Sequence, residues 1–464
     1  MRRLVLAAAV GLTACTPRLG LDGTSPSLAT LGQGLPRGFL MGTATAAHQV
    51  EGGNDNDWTD WEKGSFPDGT PHIVDGDQSG LACDSWNRFD DDLAAMQALG
   101  AKVYRFSVEW SRLEPTEGAW DRAAMDRYRE WTVKLRAAGI EPMVTLHHFT
   151  LPKWVAAKRG FETEDTQAAF VAYTRRVAEA LGDTVDTWCP FNEINVYAAQ
   201  GYLGGIWPPG VKDDTALQVT VMANMLKAHA AAAAALREVD TVDADGDGRA
   251  TVLTTAHHVR IFQPASHSVL DTAIAGLTDD VANEAVPRAL KTGRIRFSVP
   301  GTIEIDEVVD GLAGSIDELG LNYYTRDILR ADLGSAALSY SYFKAGRPSN
   351  DLGWDLYPDG LYLMLTRFSS YGWPISITEN GTADATDSFR TEYLAQHVAA
   401  IERAAREGVD VRAYYHWSLM DNFEWAEGYS ARFGLYRVDF DGTRDRVPTS
   451  AVDAFKTIVE NIRR

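Results

Sequence analysis

The chain has 464 residues, 45% hydrophobic and 23% charged, enough to bury a large core and within the range of one enlarged barrel domain. Its formal charge of -20 and the lack of any basic stripe argue against a nucleic-acid partner, because affinity for phosphate backbones needs clustered Lys and Arg. Thirteen Trp and seventeen Tyr are a heavy aromatic load, suited to core packing and equally to stacking on the C–H faces of sugars.

In chain order, residues 1–15 read as a targeting segment outside the fold. Arg2 and Arg3 make a positive start, Leu4 to Val10 an apolar run, and Leu12-Thr13-Ala14-Cys15 closes it with small residues. That tetrapeptide resembles the bacterial lipoprotein signal, which implies export and lipidation of Cys15 at a bacterial membrane. An ordinary cleaved signal with an incidental Cys is the alternative. No other run approaches the roughly 18 apolar residues that span a bilayer, so membrane contact is expected only through the anchor. Residues 16–35 are rich in Gly, Pro, Ser and Thr without periodicity, which predicts a flexible linker before a single domain over 36–464.

From there, short β-branched or apolar runs alternate with helical patterns. Strands are expected at Phe39–Ala46, Lys102–Glu109, Glu141–His147, Val185–Pro190, Thr251–Val259, Glu318–Tyr323, Pro374–Thr378 and Val411–Trp417. Helices are expected at Arg88–Leu99, Ala123–Ala138, Gln167–Ala180, Ala216–Val239 and Phe389–Glu407, with Gly100, Gly139 and Gly408 at C-terminal caps. Eight strand-then-helix units imply an α/β fold, a (β/α)8 TIM barrel with enlarged loops at its pocket face. Cys83 and Cys189 are read as free thiols, Cys189 buried in a strand; pairing of the two is the alternative.

Two of these strands run into an acid just past their ends. ISITENG, at 375–381, carries Glu379 ahead of an Asn-Gly stop, and TVDTWCPFNE, at 184–193, ends on Glu193. In a parallel barrel the carboxyl ends of the strands face the pocket. Strands about 4.8 Å apart and tilted about 36° close into a ring of roughly 7.5 Å radius, with the fourth and seventh strands about 14 Å apart across it. Two inward glutamates then leave a gap of roughly 6 Å. Retaining glycosidases hold their carboxyls about 5–5.5 Å apart and inverting ones about 6.5–9.5 Å, so the estimate admits glycoside chemistry without choosing its stereochemistry.

Seven stretches, in order, carry a resemblance: ATAAHQVEG at 44–52, YRFSVEWSRLEP at 104–115, TLHHFTLPKW at 145–154, FNEIN at 191–195, LNYYT at 321–325, ITENG at 377–381 and HWSLMDNFEWAEGYSARFGL at 416–435. From about Leu35 onward the chain resembles glycoside hydrolase family 1, the retaining β-glucosidases and β-glycosidases. The resemblance implies Glu379 as nucleophile and Glu193 as acid/base. It gives Arg105 as the cation that keeps the nucleophile charged, Tyr324 as its hydrogen-bond donor and Asn192 as a contact to the sugar 2-hydroxyl. Gln49, His148, Asn322, Glu424 and Trp425 match the set that binds the glycone, and Trp417 its stacking platform. Trp354 and Tyr357 fall where the family borders the aglycone, or are packing residues. Phe149 departs from the more usual Trp. Glu424 is absent from the family's 6-phosphoglycosidases, so an unphosphorylated sugar is expected.

The implied activity is retaining hydrolysis of terminal β-D-glucosyl residues, with galactosides and fucosides as side substrates, from short oligosaccharides such as cellobiose or aryl and alkyl glucosides. A sugar-binding lipoprotein without turnover and a transglycosylase are the alternatives. No cofactor is required by this chemistry. His147 and His148 lack a third ligand at suitable spacing for a catalytic metal. Outside the family pattern, Asp243, Asp245 and Asp247 with Gly248 match the first half of a calcium loop, but Thr254 stands where the bidentate Glu belongs. A weak structural Ca2+ site and a metal-free acidic turn both remain open.

Overall fold

The computed structural model describes residues 26–299, 301–332, 339–342 and 349–462. Strands β1 (Leu40–Ala44), β2 (Val103–Ser107), β3 (Glu141–His147) and β4 (Thr187–Phe191) lie side by side in parallel, followed by β5 (Val252–Leu253) on β4. β6 (His257–Pro264) pairs with β9 (Leu319–Asp332), after the antiparallel hairpin β7 (Arg294–Val299) and β8 (Ile303–Val308). β10 (Ser339–Tyr342) extends β9, while β11 (Ile375–Asn380) and β12 (Val411–Trp417) return the sheet to β1.

The ring closes through one interrupted strand. β5 is held by β4 and β6 by β9, and the residues between them bridge both neighbours, Thr254 with Glu318 and Ala256 with Asn192. β5 and β6 together are the fifth stave of an eight-staved (β/α)8 barrel. Closure requires a glycine opposite the break: a Cβ at Gly320 would stand 1.8 Å from the Thr255 carbonyl oxygen. No side chain fits there.

Every residue of β11 is buried, as a strand covered on both faces demands, and its β-branched sequence suits that setting. Ile375 and Ile377 are wholly enclosed, each contributing about 1.5–3 kcal/mol by leaving water. The expected helices form with slightly shifted ends. Ser85–Leu99 buries Phe89, Ala95, Met96 and Leu99 and stops at Gly100, whose φ of 70° provides the left-handed cap. Arg122–Ala137 starts where the Asp121 carboxylate accepts from Ala124 N. Thr215–Val239 is long and apolar enough to cross a membrane, but 78% of its apolar window is buried inside the fold.

The packed chain begins earlier than expected. Leu31 and Leu35, assigned to the linker from composition, are buried, and the Gly32 and Gly34 amides donate to Glu402. Asn461 near the C-terminus donates to the carbonyls of Leu28 and Leu31. Small polar composition marked this stretch as non-helical but could not show that it is tied down. Residues 1–25, including Cys15, lie outside the described residues. Cys83 and Cys189 are both buried and free.

Candidate active site

Glu379 is near the C-terminal end of β11, enclosed on all sides. Arg105, from the middle of β2, donates from Nη1 to its Oε1 at 2.6 Å, and the Tyr324 hydroxyl, from β9, donates to its Oε2 at 2.7 Å. Both oxygens are thus fixed. Glu193 follows β4 by two residues with φ 44° and ψ 59°, a left-handed conformation that costs a non-glycine residue roughly 1–3 kcal/mol. That geometry lets the chain leave the strand and enter helix Ile194–Tyr202 within one residue. Asn322 donates to Glu193 Oε1 at 2.8 Å, and its Cα pairs in register with that of Glu379. Arg105 also donates from Nη2 to Asn192 at 2.5 Å, so one guanidinium ties the two acid-bearing strand ends together.

Glu193 and Glu379 line one cavity of about 890 Å3. His148, Tyr324, Trp417, Glu424 and Trp425 share its wall, with Phe149, Trp207 and Trp354. Arg105, Asn192, Asn322 and Gln49 are buried and hydrogen-bond to Glu379, His148, Glu193 and Glu424 of that wall. Gln49 is wholly buried and donates to Asn422, Phe423 O and Glu424, with its own Oε1 unpartnered. Trp417 Nε1 reaches Glu424 at 3.4 Å, and the Trp417–Ser418 peptide is cis. His148 lies between Trp417 and Trp425, its ring centroid 5.7 Å and 5.9 Å from theirs. Phe149 packs 4.7 Å from Trp207, filling the wall where a larger ring was expected. Tyr357 does not line the cavity; Arg326 lies 4.4 Å over its ring.

The electrostatics follow from burial and neighbours. Burial lifts Glu424 to about 8, against the donors Trp417 and Gln49, so its proton can be donated to a sugar hydroxyl as well as accepted. Burial and Arg105 hold His148 well below the ordinary imidazole range, leaving it neutral. Burial also lifts Glu379 to about 7, opposed by Arg105 and Tyr324 and reinforced by the charge of Glu193. Burial acts upward on Glu193 too, but His258, Asn322 and Arg105 outweigh it and move it down. The charge of each acid bears on the other, so the two carboxyls titrate as a pair.

His258, from β6, was not singled out from sequence. Its Nδ1 lies 3.0 Å from Glu193 Oε1, and the residue lines the cavity. The signal was there: an apolar strand carrying polar residues at 258 and 260 on one face, inside a barrel whose pocket takes every second side chain. Also unforeseen was an aliphatic wall beyond Glu193, formed by Val196, Leu203, Ile206, Met222, Ile274 and Leu277. Helix Val269–Asp279 contributes to it.

Asp243, Asp245 and Asp247 are brought together, with one carboxylate oxygen of each within 4.8 Å of the others, on an exposed loop. The loop precedes β5 and so lies at the opposite end of the barrel from the cavity. Its carboxylates already accept from the amides of Gly246, Asp247, Gly248 and Arg249, and Asp247 pairs with the Arg249 side chain.

The model of glycosyl hydrolase family 1 matches residues 32–463. Beta-glucosidase A of Acetivibrio thermocellus is 33% identical, over 92% of this chain and 98% of the relative. A bifunctional beta-D-glucosidase/beta-D-fucosidase of Bifidobacterium breve is 32% identical, over 91% and 98%. Among solved structures, a beta-glycosidase from Pyrococcus horikoshii superposes with a TM-score of 0.81 at 36% identity, covering 92% of this chain and 95% of that one. A Thermotoga maritima beta-glucosidase in complex with glucoimidazole gives 0.82 at 30% identity, covering 93% and 99%. With a closed eight-staved barrel and two buried carboxyls in one cavity, the chain belongs to glycosyl hydrolase family 1.

Proposed function

We propose that this chain is a retaining β-glucosidase that releases terminal β-D-glucosyl residues, and more slowly galactosyl or fucosyl ones, by double displacement. The observation that carries the reading is the difference between the partners of the two acids. Glu379 is gripped by Arg105, a cation that never loses its charge at working pH, and by Tyr324. A permanent cation marks the group that must be ionised in the working enzyme, so Glu379 attacks the anomeric carbon. Glu193 is held by neutral Asn322 and titratable His258, as suits a group that must gain and lose a proton.

In the first step Glu379 forms a bond to the anomeric carbon while Glu193 gives its proton to the departing oxygen. In the second, Glu193 takes a proton from water, which attacks and frees Glu379. His148, Glu424 and the Trp417 and Trp425 rings hold the glycone. At 424 a hydrogen-bonding carboxyl stands where a sugar phosphate would need a cation, so the glycone is read as unphosphorylated. The aliphatic wall beyond Glu193 suits aryl and alkyl aglycones, which bury apolar surface there.

Hydrolysis of nitrophenyl β-D-glucoside followed by NMR tests the reading. β-Glucose as the first-formed anomer supports double displacement; α-glucose first, or binding without turnover, sinks it. The reading extends to export and lipid anchoring at Cys15, supported by the pattern Arg2-Arg3, Leu4–Val10 and Leu12–Cys15. Fatty-acid labelling that survives Cys15→Ala would remove that part alone.

A further inference from the structure

We propose that His258 is the positioning residue that places and gates the proton of the acid/base Glu193. The inference rests on the assignment of Glu193 above and adds a residue to it. His258 Nδ1 and Asn322 Nδ2 both reach the same oxygen, Oε1, at 3.0 Å and 2.8 Å. Among the described residues no hydrogen bond falls on Oε2. With the imidazole neutral, Nδ1–H donates to Oε1, as Asn322 does, and two donors on one oxygen leave Oε2 to hold the proton. The carboxyl plane is then fixed with its acidic O–H free for the leaving group. With the imidazole protonated, the same contact becomes an ion pair. Glu193 is then kept as carboxylate, and the first step lacks its acid.

The groups around the ring are Glu193 at the end of β4, Tyr324 and Asp327 on β9, and His257 and Arg260 on its own strand. Tyr324 stacks at 6.0 Å, and Arg260 is 2.9 Å from Asp327. The ring is 13% exposed, open to solvent protons through the cavity. His257, by contrast, is enclosed, and burial lowers it to about 4, so it stays neutral. From the flanking Asp280–Glu284 turn, Asp280 is taken by Arg288 and Glu284 by Arg367. Asn195 donates to the His258 carbonyl and to Ala282, fixing the ring's backbone. The largest downward influence on Glu193 is the charge of His258, and it disappears when the ring is neutral. Arg105, paired directly with Glu379 at 2.6 Å, opposes protonation of that acid.

Two variants and two substrates test this. His258→Gln keeps a donor amide that cannot titrate; His258→Ala removes the donor. On a phenyl glucoside, whose leaving group needs protonation, His258→Ala is expected to lose roughly 10- to 100-fold in kcat/KM at neutral pH, a part of the full acid contribution. On a dinitrophenyl glucoside, whose leaving group departs unaided, the loss should fall below about threefold. His258→Gln should keep most activity at neutral pH and move the acid limb of the phenyl glucoside profile to lower pH. Equal losses on both substrates, or an unmoved acid limb in His258→Gln, would overturn the proposal. Either result leaves the assignment of Glu193 intact, since that is read separately from azide rescue of Glu193→Ala.

Discussion

Arg105 and Glu379 form an ion pair at 2.6 Å with their side chains only 1% and 5% exposed. Enclosed this fully, neither charge tolerates the loss of the other. Arg105→Met should cost roughly 3–5 kcal/mol of stability by stranding the acid, which will then neutralise and stop attacking. Turnover is expected to fall by at least about 10²- to 10³-fold, the usual scale for a lost electrostatic contact at a reacting charge. Tyr324→Phe removes one donor only and should cost roughly 10- to 100-fold. Paired measurement of kcat and thermal unfolding checks both. If Arg105→Met keeps wild-type turnover, the nucleophile lies elsewhere.

Azide distinguishes the two acids. Glu379→Ala should abolish hydrolysis, and azide should restore it as the α-glycosyl azide, because the anion enters from the emptied face. Glu193→Ala should lose about 10²- to 10⁴-fold on poor leaving groups and little on good ones, with azide giving the β-product. Product stereochemistry by NMR decides it. Exchange of the two outcomes would reverse the assignment of nucleophile and acid.

Glu424 lines the cavity, with Gln49 and Trp417 donating to its carboxyl. Glu424→Ala should leave Gln49 Nε2 with one partner fewer and remove the acceptor for a sugar hydroxyl. A loss of about 1.5–3 kcal/mol in transition-state binding is expected, or roughly 10- to 100-fold in kcat/KM. The loss should be smaller for fucosides if the missing contact is to the 6-hydroxyl. A kinetic screen over glucoside, galactoside and fucoside reports it.

Asp57 offers a test of stability against pH. Burial raises its carboxyl from 3.8 to about 7, although the amides of Leu151 and Trp58 donate to one oxygen. A carboxyl raised by folding binds its proton more tightly in the folded state than in the unfolded one. Its stabilising contribution is complete below about pH 4 and is lost as pH rises through about 7. Asp57→Asn keeps the acceptor and removes the titration. The variant should therefore gain on the order of 2–4 kcal/mol over wild type between about pH 4 and 8. Thermal unfolding across that range would show parallel curves if Asp57 does not titrate in this way.

The eight staves, the helices between them and the placement of Glu193 and Glu379 at strand ends were legible from sequence, because β-branched runs, helical periodicity and cap glycines are local properties of the chain. The resemblance then supplied Arg105, Asn322 and Tyr324, and the structure places all three on the carboxyls. Gln49 shows the limit: it was expected among the residues that bind the glycone, and the structure adds that it donates to Glu424, a partner no local pattern records.

The sequence by itself determined which residues form strands, which turn ends each strand, and which two of those ends carry an acid. Only the tertiary structure decided who stands beside each acid. His258 reaches Glu193 because the fifth stave breaks at Thr254–Ala256 and Gly320 lets β9 close against it. Likewise, Leu31 and Leu35 are packed because Glu402 and Asn461, at the far end of the chain, hold the intervening turn. Such contacts join residues hundreds of positions apart, and no local pattern records a partner that only ring closure delivers.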